Sequence, residues 1–272
     1  MKTWATIQAG DYCNREILRR QKLAARAARR LGLVSIKTVK SKDPELPPNL
    51  CQHVVARERL LSQKAVKLFY KAQKDGTKVF FVTIIRPEWT RRSRDLKASI
   101  VKEVRDWTSR RARALAKHGQ QRVLGFVDVA WDDRSAVNEP SRWSVHVHLI
   151  VCVEAKRQKS AESWIRSAFN AIDPSGIIHT PVKVKRLKRD TDIMRASEYA
   201  SRALLMDKLP HRRTYRDDLG ERKVRKQTLP AKFDKELSSM VHILGPKAFW
   251  VLSGFRRQGD AIVLHDAKSG AG

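Results

Sequence analysis

Apolar residues recur with two different periods along this chain, and the changes of period mark out its elements. Residues 14–33, NREILRRQKLAARAARRLGL, place Ile17, Leu18, Leu23, Ala24, Ala27 and Leu31 on one side of a helix whose other side is almost wholly arginine and lysine. A polar, proline-bearing stretch, SKDPELPPN (41–49), reads as a linker, and a second helix is expected near 52–74, ended by the turn signal KDGTK. β-Branched and aromatic residues then take over. KVFFVTIIRP (78–87) predicts a strand stopped by Pro87, because proline cannot donate to a ladder. Residues 93–119 predict a helix capped by Ser93, with Leu96, Ile100, Val104 and Trp107 on one face and Gly119 beyond its end. RVLGFVDVAW (122–131) and RWSVHVHLIVCVE (142–154) predict two strands joined by the polar loop DDRSAVNEPSR. A helix over 159–173 stops before Pro174 and Gly176, a strand follows over 177–187, and a helix capped by Thr191 or Asp190 runs over 191–208.

The order strand, helix, strand, strand, helix, strand, helix predicts an α+β fold. Its first six elements make the split unit of a ferredoxin-like (RRM-like) antiparallel sheet with helices on one face. On this reading residues 75–208 form the core. Residues 1–74 are a basic helical N-terminal extension, and 209–272 a basic C-terminal extension, partly helical. The C-terminal part contains the highly charged HRRTYRDDLGERKVRKQ and then recovers apolar character over 233–257.

Composition narrows the class. With 42% apolar residues in 272, the chain can bury a core, which excludes disorder throughout. Against 28 acidic residues stand 57 basic ones, a net charge of +29 spread along the chain, and such a field gathers polyanions. Nucleic acid is favoured over an anionic membrane surface. Arg19, Arg20, Arg29 and Arg30 of the first helix are candidate phosphate contacts or a solvated face. Three widely spaced cysteines, Cys13, Cys51 and Cys152, exclude a disulfide framework and a CxxC zinc site, and suit a reducing cytosol. The N-terminus lacks a signal-peptide core and no run reaches membrane-spanning length, so a cytoplasmic chain with no membrane partner is expected.

Side chains alternate across a strand, so His146 and His148 share one face while Val145, Val147, Leu149 and Val151 point to the other. If the valine face meets the helices, the histidines lie on the open face of the sheet. Two imidazoles so spaced can hold one metal ion, although such a pair by itself is more often two surface histidines on an edge strand. The partner strand offers Asp128, which shares its face with Phe126 and Ala130. A His-His-carboxylate set with open positions suits Mg²⁺ or Mn²⁺, ions that polarise phosphates. Asp132 and Asp133 are rivals nearer the loop; Asp128 is preferred because a strand holds a ligand more firmly. On the last helix, Tyr199 lies on the line Arg195–Tyr199–Arg202–Met206, off the apolar stripe, where two arginines favour its phenolate and can hold a phosphate; taken alone, it is as readily an aromatic packed at the helix edge. Arg86, at the end of the first strand, is a further candidate phosphate contact.

The order FFVTIIRP, then WSVHVHLIV, then EYASRA resembles the three motifs of HUH endonucleases, specifically the rolling-circle replication initiators of plasmids and phages. The first motif is a strand of FxTxT-like character, here around Phe81 and Thr83; the second is His146-Val147-His148; the third is Tyr199 with a basic residue three positions on. The resemblance covers about residues 78–206 and departs in one place, since Arg202 stands where lysine is usual. It implies a ferredoxin-like sheet, a divalent ion held by His146 and His148, and Asp128 in the place of the acidic residue that often precedes the histidine pair. It also implies Tyr199 as nucleophile, attacking a scissile phosphate in single-stranded or hairpin origin DNA. The expected product is a 5′-phosphotyrosyl link with a free 3′-OH that primes synthesis, with a host helicase or polymerase as possible partner. Tyr215, in its basic setting, is the rival nucleophile. A relaxase or transposase is the reading with the same chemistry, and a noncatalytic RRM-like nucleic-acid binder is the reading from another class.

Overall fold

In a computed structural model, the structure describes residues 52–74, 76–116, 120–153, 161–169, 181–205, 211–258 and 261–264. The helix expected over 14–33 and the linker over 41–49 lie outside them. Helix α1 (Gln52–Lys74) buries Leu61, Ala65, Phe69 and Ala72, whose steps of four, four and three mark one helical face. Strand β1 (Lys78–Arg91) is longer than expected and runs through Pro87. The proline is accommodated because the register with the next strand shifts between Ile85 and Thr90, so no ladder bond is required of its nitrogen. Ser93 does not cap the following helix. The chain first makes a turn in which Arg94 has φ +72°, and α2 spans Ala98–Ala116.

Strands β2 (Gln120–Asp133) and β3 (Arg142–Val153) form the expected hairpin, with a short 3₁₀ turn over Ser135–Val137. Helix α3 (Ala161–Ala168), strand β4 (Val182–Leu187) and helix α4 (Asp190–Leu205) follow. Both residues expected as caps of α4 fall inside the helix, and it is the Asp192 carboxylate that reaches back to accept the Arg189 amide, 3.2 Å away. Beyond residue 210 the charged stretch is regular rather than loose. Strands β5 (His211–Arg216) and β6 (Arg222–Gln227) make a hairpin, then come α5 (Ala231–Leu244), a 3₁₀ turn over Pro246–Phe249, and strands β7 (Trp250–Ser253), β8 (Phe255–Gln258) and β9 (Ala261–Leu264).

The molecule is mixed α+β. Seven strands form one curled sheet in the order β4-β1-β3-β2-β5-β6, with β7 also on β2. The pairs β4–β1, β1–β3 and β3–β2 are antiparallel, whereas β5 joins the end of β2 in parallel at Trp131–Asp133 and β7 pairs with Val123–Phe126. Strands β5, β6 and β7 therefore extend the same sheet, while β8 and β9 pair in a two-stranded sheet of their own.

One expectation is overturned. The sheet does not keep an open face, because helices lie against both sides of it. On the side to which Arg86 points, its guanidinium lies over Trp107 of α2, and Trp107 meets Phe169 just past α3. On the other side α4 contacts β1, β2 and β3, and α1 packs on α4, where Ser62 and Ser197 share a hydrogen bond of 3.3 Å. Long apolar faces on α1 and α4 cannot be left in water, and the histidine side of the sheet is the surface they cover. His146 and His148 are consequently buried, each 1% exposed.

Candidate metal and nucleic-acid site

The site is built by strand parity. Asp128 of β2 pairs directly with His146 of β3, and Thr83 of β1 pairs directly with His148. All four side chains therefore rise on one face of three adjacent strands. His146 Nε2 lies 2.9 Å and His148 Nε2 3.4 Å from the same oxygen, Asp128 Oδ2. Asp128 is the carboxylate that joins the histidines. Its rivals stand nearer the loop: Asp132 shares the face of Asp128 but sits at the Arg142 rung and acts on His146 through its charge, and Asp133 accepts hydrogen bonds from Ser135 and Ser141.

Three groups meet the His146 ring. Its Nδ1 lies 3.4 Å from the Ser144 carbonyl, and its Nε2 lies 3.2 Å from Arg212 Nη2 and 2.9 Å from Asp128 Oδ2. The Nε2 edge therefore faces both the carboxylate and the guanidinium. His148 Nδ1 meets the Thr83 hydroxyl at 3.1 Å, while its Nε2 is buried without a hydrogen bond. Burial, reinforced by the Arg212 charge, pushes His146 down to about 3, and burial together with His146 and Arg212 holds His148 well below its ordinary value. Both rings are neutral near pH 7, the form that ligates a metal.

The spacing also fits an ion. Two ligands at 90° and about 2.1 Å from a six-coordinate cation stand about 3.0 Å apart, close to both measured separations. Among the described residues, Asp128, His146 and His148 form a buried group whose ligand atoms lie within 4.8 Å of one another, and this group could hold a metal ion. Thr83 orients His148 through its far nitrogen, as outer partners of metal-bound imidazoles commonly do.

Tyr199 of α4 sits over this group. Its ring is edge-on to His148, with centroids 4.9 Å apart, and edge-on to Phe81 at 6.1 Å; Phe81 in turn stacks on His148 at 5.5 Å. The site opens into a cavity of about 720 Å³. Besides the histidines and Tyr199, its walls carry Lys183, Lys185, Arg195, Arg212 and Lys226, against the single carboxylate of Asp192. That carboxylate is already held by Arg189. A cavity so charged selects for an anion.

Of the residues predicted from sequence, Asp128, His146, His148, Tyr199 and Arg195 come together here. Arg86 does not: it points to the opposite face, over Trp107 and paired with Glu88. Arg19, Arg20, Arg29 and Arg30, and the side chain of Arg202, lie outside the described residues. Tyr215 is on the β5–β6 hairpin, 36% exposed, and does not line the cavity. Sequence reasoning missed Arg212, Lys226, Lys183 and Lys185. The alternation Val182-Lys183-Val184-Lys185 carried a signal for the last two, since it puts both lysines on one face of a strand. No protein-family model, curated protein or solved structure matches this chain. Among the described residues no helix is long and apolar enough to cross a membrane.

Proposed function

We propose that the chain is a DNA-nicking and -joining enzyme of HUH endonuclease type that initiates rolling-circle replication, with Tyr199 as nucleophile. The observation that carries this is the convergence of Asp128, His146 and His148 beneath the Tyr199 ring, at the base of a cation-lined cavity. The strand order β4-β1-β3-β2 is the one expected of a ferredoxin-like core, and we read the first six elements so.

Asp128, His146 and His148 would hold Mg²⁺ or Mn²⁺, which supplies polarisation of the scissile phosphate. Arg195, Lys183 and Lys185 bind the backbone phosphates on either side of that position. Tyr199 loses its proton to solvent, and its oxygen bonds to phosphorus as the bond from phosphorus to the 3′ oxygen breaks. That oxygen takes up a proton. The strand then has a free 3′-OH and a 5′ phosphate esterified to Tyr199, and the reverse reaction reseals it. The same chemistry serves a relaxase or a transposase. A noncatalytic RRM-like binder fits less well, because the face on which it would stack bases lies beneath α4, and Phe81 is engaged with His148 and Tyr199. The donor set alone also suits Fe²⁺; the cationic walls are what favour a phosphodiester.

The test incubates the protein with single-stranded and hairpin oligonucleotides and Mn²⁺, and looks for covalent 5′ attachment. Tyr199→Phe is expected to lose at least about a thousandfold in nicking, and Tyr215→Phe to keep it. EDTA, or His146→Ala with His148→Ala, is expected to abolish it. Full nicking by Tyr199→Phe would remove the nucleophile assignment, and nicking in EDTA would remove the metal.

A further inference from the structure

The β5–β6 hairpin is a poor strand pair by its own chemistry. In its ladder Arg212 stands opposite Lys226, Arg213 opposite Arg225 and Arg216 opposite Arg222. Like charges directly across an antiparallel pair repel, and three of the six rungs here are of that kind. Some of this charge is compensated: Arg222 pairs with Glu139, and Lys223 with Asp217 and Glu221. Arg213 and Arg225 are exposed and form no ion pair among the described residues. Nothing among the described residues rewards placing them face to face. The hairpin is nevertheless well formed. Its root is seated by His211 and Thr214, both buried, and its turn is closed by the Asp217 carboxylate on the amides of Leu219 and Glu221, with Gly220 at φ +77°.

The cations lie on both faces of this ribbon. By alternation, Arg212, Arg216, Arg222 and Lys226 point to one side, and Arg213, Lys223 and Arg225 to the other. A single strand laid along one face would leave the other unanswered. A duplex groove, flanked by two phosphate backbones, answers both. The ribbon extends about 20 Å over its six rungs, and the B-form major groove, about 12 Å wide, admits a two-stranded ribbon. We propose that the β5–β6 ribbon is a duplex-DNA-binding arm that enters the major groove beside the cavity. This rests on the reading of the cavity as a DNA site. Arg212 and Lys226 at the ribbon's root line that cavity, so the duplex stem of a hairpin held by the arm continues towards the strand presented to Tyr199.

The experiment measures binding of the full chain to a blunt 20-base-pair DNA duplex, the matching single strand and the matching RNA duplex, over a range of salt. The variant is Arg213→Gln with Arg225→Gln; both positions are exposed, so folding is spared. Duplex DNA affinity is expected to fall about tenfold or more. The slope of log affinity against log salt should drop by about two, one for each lost phosphate contact. Single-strand affinity should stay within about twofold. Arg213→Lys with Arg225→Lys should restore most of the duplex affinity. An unchanged duplex affinity, or an equal fall for the single strand or the RNA duplex, overturns the arm. If the wild-type chain binds none of the three, the DNA reading of the cavity falls with it; if it binds and the variant loses nothing, only the arm falls.

Discussion

At the scale of single residues, the site turns on one nitrogen. The Ser144 carbonyl stands behind the His146 ring, and His146 Nε2 is the point where Asp128 and Arg212 meet. A cation arriving between the histidines and Asp128 must therefore approach against the Arg212 guanidinium. Removing that charge while keeping an apolar stem should tighten metal binding. Arg212→Met is expected to bind Mn²⁺ about tenfold more tightly, the equivalent of about 1.4 kcal/mol. Titration of the metal into the wild-type and variant proteins, followed by calorimetry or by the Mn²⁺ paramagnetic signal, checks it. Equal or weaker binding by the variant would show that the guanidinium does not oppose the ion. The histidine pair and Asp128 were legible in the sequence, because strand alternation alone dictates which side chains share a face. Arg212 was not, since its partner is 66 residues away and its own segment is too charged to announce a strand.

Among the elements, the β2–β3 ladder carries most of the geometry. Asp128 meets His146 only because the two strands are in register from Arg122 to Asp132. Gly125 is part of that register: a Cβ built there would stand 2.2 Å from Leu149 Cδ2 and 2.8 Å from the His148 carbonyl oxygen. The side chain can move aside; the backbone carbonyl cannot do so without shifting β3. Gly125→Ala is expected to destabilise the fold by about 1–3 kcal/mol and to weaken metal binding by displacing His148, as read by urea unfolding and metal titration. Wild-type values in both would contradict this account of the glycine. Strand and helix types were readable from periodicity over 78–205, and the boundaries were less so. Pro87 reads as a stop, yet a shift of register gives it a place; Ser93 reads as a cap, yet the chain turns before the helix begins. The β5–β6 hairpin was illegible because its polar, like-charged rungs oppose the pattern by which strands are recognised.

Over the whole molecule, the covering of the histidine face could not be read from the sequence. It depends on α1 meeting α4 across more than a hundred residues, and on the last strands reaching back to α1. One buried group fastens that arrangement. Glu58 of α1 is 2% exposed, and its carboxylate accepts two bonds from Arg257 of β8, at 2.6 and 2.8 Å, and one from the Trp250 indole of β7 at 2.8 Å. Phe69 of α1 meets Phe255 of β8 beside it, and Trp250 packs on Phe126, two residues from Asp128. Loss of the carboxylate leaves a guanidinium, 9% exposed, without its counter-charge. Glu58→Ala is accordingly expected to cost about 3–5 kcal/mol, more than an ordinary cavity of that size would. Glu58→Leu combined with Arg257→Met, which removes both charges and fills the space, should recover most of the loss, because a buried ion pair is worth little over an apolar replacement. Denaturant unfolding of the three proteins decides it. If Glu58→Ala unfolds within about 1 kcal/mol of wild type, the pair does not hold α1 in place, and the cover over His146 and His148 owes its position to apolar packing alone.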